Sequence, residues 1–296
     1  MRALLKSSIL LVVIVGYSAW LVTNSIHIAR AEPATTSDSR LVLNVYLVHF
    51  DAMIVGEQAF ISAGTFQMGC NPALFSYACD YDENPLHAVY LDTYKIDRFE
   101  VTNSEYKQCV AAGACSPPRK LSTSAFEDYY VNPIFNGFPV VNVTWSDAEN
   151  FCTWKGKRLP TEAEWERAAR GRWDVRLFPW GFSLPDCTLC NYLPNPRFGP
   201  CVGYVLPSGN YLTGVSPDGI FDMAGNIWEW VSDWYSDTYY RVSPASNPQG
   251  PAAGSAKVVR GGSWKSGWDF IRVSNRELDQ PGAIDEDLGF RCASTP

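Results

Sequence analysis

The residues best suited to chemistry stand together in Asp222-Met-Ala-Gly-Asn-Ile-Trp-Glu-Trp-Val-Ser-Asp-Trp-Tyr235, which sets three tryptophans among three carboxylates. Trp228, Trp230 and Trp234 can each bury a large ring. Glu229, between two of them, needs a partner once it points inward. The Gly225-Asn226 pair is a turn signal that leaves backbone carbonyls beside that carboxylate. Carbonyls and one carboxylate on a tight turn suit Ca²⁺, a hard ion that accepts about six to eight oxygens. The competing expectation is a tryptophan-rich core turn with Glu229 bonded to backbone amides.

Three helices precede that stretch, each announced by a capping box in which an N-terminal hydroxyl and a Glu three residues later satisfy each other's amides. They are Thr102-Asn-Ser-Glu105, Ser146-Asp-Ala-Glu149 and Thr161-Glu-Ala-Glu164. With Gly113, Gly156 and Gly171 as C-terminal stops, the spacing predicts helices over 102–112, 146–155 and 161–170. Upstream, the alternation in Phe60 to Gly69 predicts a hairpin turning at Ala63-Gly64, and Val89 to Val101 a second strand pair. Beyond Gly171 the chain breaks into short apolar pieces separated by Gly, Pro, Asn and Asp, a loop-rich half held by tertiary contacts.

The first 31 residues join a basic start, the apolar run Ile9 to Val22 and Ala29-Arg30-Ala31. That pattern predicts a secretory signal over 1–31, with an uncleaved N-terminal anchor as the alternative. Residues 32–56 read as a linker and an edge strand, Leu41 to Val55, ahead of one domain over 57–296. The predicted location is exported: periplasmic, extracellular or at the cell surface. Loss of Arg2, Lys6 and Arg30 takes the formal charge from −7 to −10, which excludes a basic nucleic-acid or anionic-lipid footprint. Only His49 and His87 lie beyond the leader, against His-ligated zinc and a Ser-His-Asp triad.

All nine cysteines follow the leader, where disulfides are permitted. Spacing suggests Cys70–Cys79 and Cys109–Cys115 as loop staples and Cys152–Cys292 as a long closure. Cys187, Cys190 and Cys201 compete for one more bond; Cys187 with Cys201 is the expected pair, while which of the three is free stays open. Cys187-Thr-Leu-Cys190 has neither a second CxxC for a metal nor a thioredoxin-like pattern around it.

Seven separated segments, FISAGTFQMG (60–69), RFEVTNSEY (98–106), PVVNVTWSDAENFCTWKGKRLPTEAEWERAARG (139–171), PWG (179–181), DMAGNIWEW (222–230), VRGGSW (259–264) and GFRCA (289–293), together resemble the formylglycine-generating enzyme, or sulfatase-modifying factor, family. The resemblance implies an α+β, C-type-lectin-like fold with little regular secondary structure, and again pairs Cys152 with Cys292. It implies calcium held by the Glu229 side chain and by backbone oxygens of Asp222, Gly225 and Ile227, and a second calcium site beginning at Asn191-Tyr192, for which no acidic partner is evident downstream. Active members oxidise a peptidyl cysteine to formylglycine with O₂, using Cu(I) on two cysteines five residues apart. Here those positions fall on Ser266 and Ile271, which cannot replace soft thiolates, so copper is not expected.

What remains is a candidate pocket of Trp228, Ser263, Trp264 and Ser266 with Arg272 and Arg276, whose guanidinium forks suit a peptide or acidic ligand; alternatively the two arginines pair with Asp285 and Asp287. The expectation is an exported family member without copper-dependent oxidation that binds a peptide or protein as an accessory domain, with no nucleic-acid partner and no membrane contact beyond an N-terminal anchor. The alternative is a family oxidoreductase that makes formylglycine in sulfatases, or another reaction in the same cleft.

Overall fold

In a computed structural model the described residues are 57–75, 79–197 and 199–296. The predicted signal, linker and edge strand over residues 1–56 lie outside them. Two apolar segments, 58–68 and 87–97, run side by side: β1 (Gln58–Ile61) pairs with β4 (Tyr94–Asp97), and β2 (Gly64–Met68) with β3 (His87–Leu91). The register is the same in both pairs, Ile61 opposite Tyr94 and Gly64 opposite Leu91. They therefore form one antiparallel ribbon that breaks in the middle and passes from one sheet to the next. This corrects both expected local pairings, because each segment finds its partner in the other. Gly64 is not a turn residue; a Cβ there would meet the Arg172 guanidinium at 2.3 Å. The real reversal is the excursion between β2 and β3, which carries α1 (Pro72–Phe75) and the Cys70–Cys79 disulfide.

The three expected helices are present as α2 (Asn103–Ala111), α3 (Trp145–Trp154) and α4 (Glu162–Arg170). Thr102 and Thr161 cap α2 and α4 with Glu105 and Glu164. For α3 the cap is Thr144 with Asp147, not Ser146 with Glu149. Two overlapping boxes compete there, and the earlier one wins because it draws Trp145 into the helix, where its indole donates to the Val231 carbonyl at 2.8 Å. Every residue of α4 is buried, including two arginines and three glutamates. A helix polar on several faces can do this only where each charge meets an opposite one.

The third sheet runs β7 (Glu277–Asp279), β6 (Lys257–Arg260), β5 (Trp228–Trp234), β8 (Leu288–Phe290), with β5 and β8 parallel and the other pairs antiparallel. The last strand, β9 (Ala293–Ser294), crosses to the first sheet beside β4. Cys152–Cys292 ties α3 to that crossing over 140 residues, worth roughly 5 kcal/mol in a chain-entropy treatment. Few helices and short strands make this the expected α+β, C-type-lectin-like architecture.

Candidate functional site

Strand alternation on β5 sends Trp228 and Trp230 into the core cluster around Tyr106 and Phe290 and turns Glu229 to the other face. Glu229 is fully buried. Its oxygens take a fork from Arg291, Nη2 to Oε1 at 2.6 Å and Nε to Oε2 at 2.7 Å, and the Trp165 indole at 2.9 Å. The all-amide alternative is thereby corrected; a guanidinium reached the carboxylate from β8's end of the chain. Four lone-pair positions minus three donors leave Glu229 one acceptor position, on Oε1.

The turn ahead of β5 holds Asp222, Gly225 and Asn226 at positive φ. Gly225 is required there twice over, by φ +78° and because a Cβ would lie 2.3 Å from the Asn191 carbonyl. Among the described residues no backbone donor hydrogen-bonds the carbonyl oxygens of Asp222, Gly225 or Ile227. Asn191, fully buried, receives Asn226 N–H on its carbonyl and donates Nδ2 to Tyr204 O at 2.9 Å, while its Oδ1 has no partner. The Tyr192 carbonyl accepts from Cys201 N–H at 2.9 Å. Open carbonyls and a spare Glu229 lone pair fit a hard cation; no group of three or more His, Cys, Asp or Glu side chains converges as a metal cage among the described residues. Two further acids surround the turn. Asp222 accepts from Gly209 N–H at 2.5 Å, and burial pushes its carboxyl up to about 6. Glu100 accepts Asn226 Nδ2 at 3.0 and 3.2 Å, and burial, then Asp222 and Glu229, raise it well above the ordinary range. The sequence does not single out Glu100 or Arg291, although both lie inside the family-like segments; nothing local marks them as one cluster.

Beyond β6, Ser263, Ser266 and Asp287 form a second group. Ser263 Oγ donates to Asp287 Oδ2 at 2.5 Å, and Ser266 Oγ accepts Ser263 N–H at 3.0 Å. Lys265 sits over Trp264 and bridges Asp285, Glu286 and Asp287 at 3.1, 3.2 and 3.1 Å. Burial pushes the Asp287 carboxyl up to about 6. Alongside lies a cleft of about 480 Å³ between the loop 193–196 and the loop 265–270.

Arg272 and Arg276 are not part of this group. Both are buried and paired away from it, Arg272 with Glu83 at 2.7 Å and Asp80 at 3.0 Å, Arg276 with Glu162 at 2.6 Å. Asp285 and Asp287 are taken by Lys265, which corrects both readings of the two arginines. Partners far along the chain were closer in space than those nearby in sequence.

Four disulfides form, Cys70–Cys79, Cys109–Cys115, Cys152–Cys292 and Cys187–Cys201. Cys190 is the one free cysteine. It lies in the buried cluster of Leu177, Phe178, Tyr192 and Ile271, where burial pushes its thiol well above its ordinary range.

A loop-rich α+β fold around this central turn defines a protein of the C-type-lectin-like class. Residues 49–296 match the family described as sulfatase-modifying factor enzyme 1-like domain. The formylglycine-generating enzyme of Streptomyces coelicolor is 34% identical, with 80% of this chain and 88% of that protein covered. The serine/threonine-protein kinase pkn1 of Chlamydia caviae is 33% identical over 80% of this chain but only 38% of its own length. The structure of PvdO from Pseudomonas aeruginosa superposes with a TM-score of 0.65 at 25% identity, covering 80% of this chain and 93% of that one. The chain belongs to the sulfatase-modifying factor family.

Proposed function

We propose that this protein is an exported member of the family that binds a peptide or protein ligand as an accessory domain, without copper-dependent oxidation of cysteine. The observation carrying this reading is the state of its sulfurs. Eight cysteines are tied up in disulfides and the ninth, Cys190, is buried in the same apolar cluster as Ile271, one of the two positions where the family spacing calls for a copper thiolate. The other position carries Ser266, whose hydroxyl is engaged with Ser263. A single thiol held in its protonated form in an apolar cluster does not grip Cu(I), which leaves the cleft without the ligand pair that an oxidative step would need. The cleft beside Lys265 and Trp268 supplies room for a ligand, and the apolar run near the N-terminus supports export.

Calcium belongs to the same reading. The open carbonyls of Asp222, Gly225 and Ile227, with the remaining Glu229 lone pair, would hold it and fasten the turn that starts β5. The alternative, formylglycine formation in sulfatases or another reaction in the cleft, draws on the Ser263–Asp287 hydrogen bond. Incubating the full chain with a cysteine-containing sulfatase-motif peptide, Cu(I) and O₂ separates the two. Mass spectrometry is expected to find the peptide unchanged; aldehyde product would overturn the binding-domain reading.

A further inference from the structure

The central turn has a charge surplus that its hydrogen bonds do not remove. Three buried carboxylates, Glu100, Asp222 and Glu229, share one guanidinium, Arg291. Glu229 and Arg291 form a close pair at 2.6 Å that is neutral as a unit. Glu100 and Asp222 are then left with no guanidinium or ammonium of their own, in a place where an ionised carboxyl without a cationic partner is costly. The groups that hold these two are neutral. Asn226 Nδ2 faces both Glu100 oxygens, and a backbone amide faces Asp222. Within the same cluster, Asn191 Oδ1 is fully buried without a partner, and the three turn carbonyls are open. Donor-poor oxygens beside two buried carboxyls that lack a cationic partner are the complement of a divalent cation, whose affinity follows the charge gathered around it.

We infer that Glu100, from the loop after β4, is the counter-charge that lets this turn hold a divalent cation, acting with Asp222 from outside the ring of carbonyl ligands. Asn226 is the positioning residue. Its side chain clamps Glu100 while its backbone N–H closes the turn on Asn191. The inference rests on the calcium reading above and deepens it, because neither the turn's own ligand set nor its neutral Glu229–Arg291 pair accounts for the cation's charge.

The test is a calcium titration of the full chain, wild type and Glu100→Gln, by calorimetry, with melting temperatures in calcium and in EDTA. Gln keeps the shape and an acceptor for Asn226. The expected result is a calcium affinity lower by about tenfold or more in the variant, with a crossover in stability: a lower melting temperature than wild type in calcium, and an equal or higher one in EDTA, where the surplus charge has gone. A merely structural role would lower both. Asp222→Asn, whose side chain still accepts from Gly209 and whose carbonyl is kept, should weaken calcium in the same direction and serves if Glu100→Gln does not fold. Calcium binding by wild type with unchanged affinity in the folded variant overturns the role of Glu100 alone; no binding by wild type overturns the calcium reading itself.

Discussion

Two buried charge clusters flank β5 and are built on opposite plans. On the α4 side, Glu162 and Glu166 meet Arg170, Arg260 and Arg276. Arg260 reaches Glu166 at 2.6 Å, Arg170 reaches it at 2.9 Å, and Arg276 reaches Glu162 at 2.6 Å. Tyr240 OH and Gly69 N–H fill remaining acceptor positions on these glutamates. Around the turn before β5, three carboxylates meet one arginine. The first cluster is closed, in that each glutamate meets at least one guanidinium; in the second, the open one, Glu100 and Asp222 have none of their own beyond the Arg291 paired with Glu229. Burial alone therefore does not mark a functional charge group in this fold. The two clusters differ in how their acids are matched by guanidinia, not in burial.

Breaking the closed cluster should have the largest effect. Burial works against the Glu166 charge, but Arg170 and Arg260 outweigh it and hold the carboxyl below its ordinary value. Glu166→Gln leaves both guanidinia short of an anion and should cost about 3–5 kcal/mol in urea unfolding, to the same extent in calcium and in EDTA. A loss that calcium restores would erase the distinction between the clusters.

In the open cluster, Arg291→Met removes the one guanidinium that pairs with Glu229 among the described residues. The expected loss is about 2–3 kcal/mol in calcium and larger in EDTA, because only the ion then opposes the three acids. An equal loss in both conditions would mean that the turn takes no cation.

The smallest effect probes pH at the edge of the closed cluster. Burial, then Glu162, pushes the Asp233 carboxyl up to about 7, while its Oδ2 accepts Glu162 N–H at 2.9 Å. Its folded value lies above its unfolded one, so the native state binds the extra proton between roughly pH 4 and 7 and loses stability as pH rises through that window. Asp233→Asn should flatten the profile relative to wild type by about 1–2 kcal/mol between pH 5 and 7. A wild-type profile matching that of the variant would place the Asp233 carboxyl near its ordinary value.

Much of the scaffold was legible in the residues themselves. The helices followed from capping boxes and glycine stops, both of which act within a turn of the chain. The short-range disulfides followed from spacing, which limits what two sulfurs can reach. The loops could be read as loops but not as positions. Strand partners of the ribbon, the choice between the Thr144 and Ser146 boxes, and the guanidinium on Glu229 escaped a linear reading because each depends on a residue distant in sequence. The candidate pocket shows the same limit: Ser263 and Ser266 stay together because three residues separate them, while Arg272 and Arg276 leave for Glu83 and Glu162.

Local chemistry thus determined which segments coil, which turn, which cysteines can close small loops, and that the expected copper positions carry a hydroxyl and a butyl group. Only the folded chain decided which charges meet, since an ion pair in the interior is selected by three-dimensional proximity and desolvation rather than by order along the backbone. That selection neutralised Glu229 with Arg291, left Glu100 and Asp222 in surplus, and shut Cys190 away with Ile271.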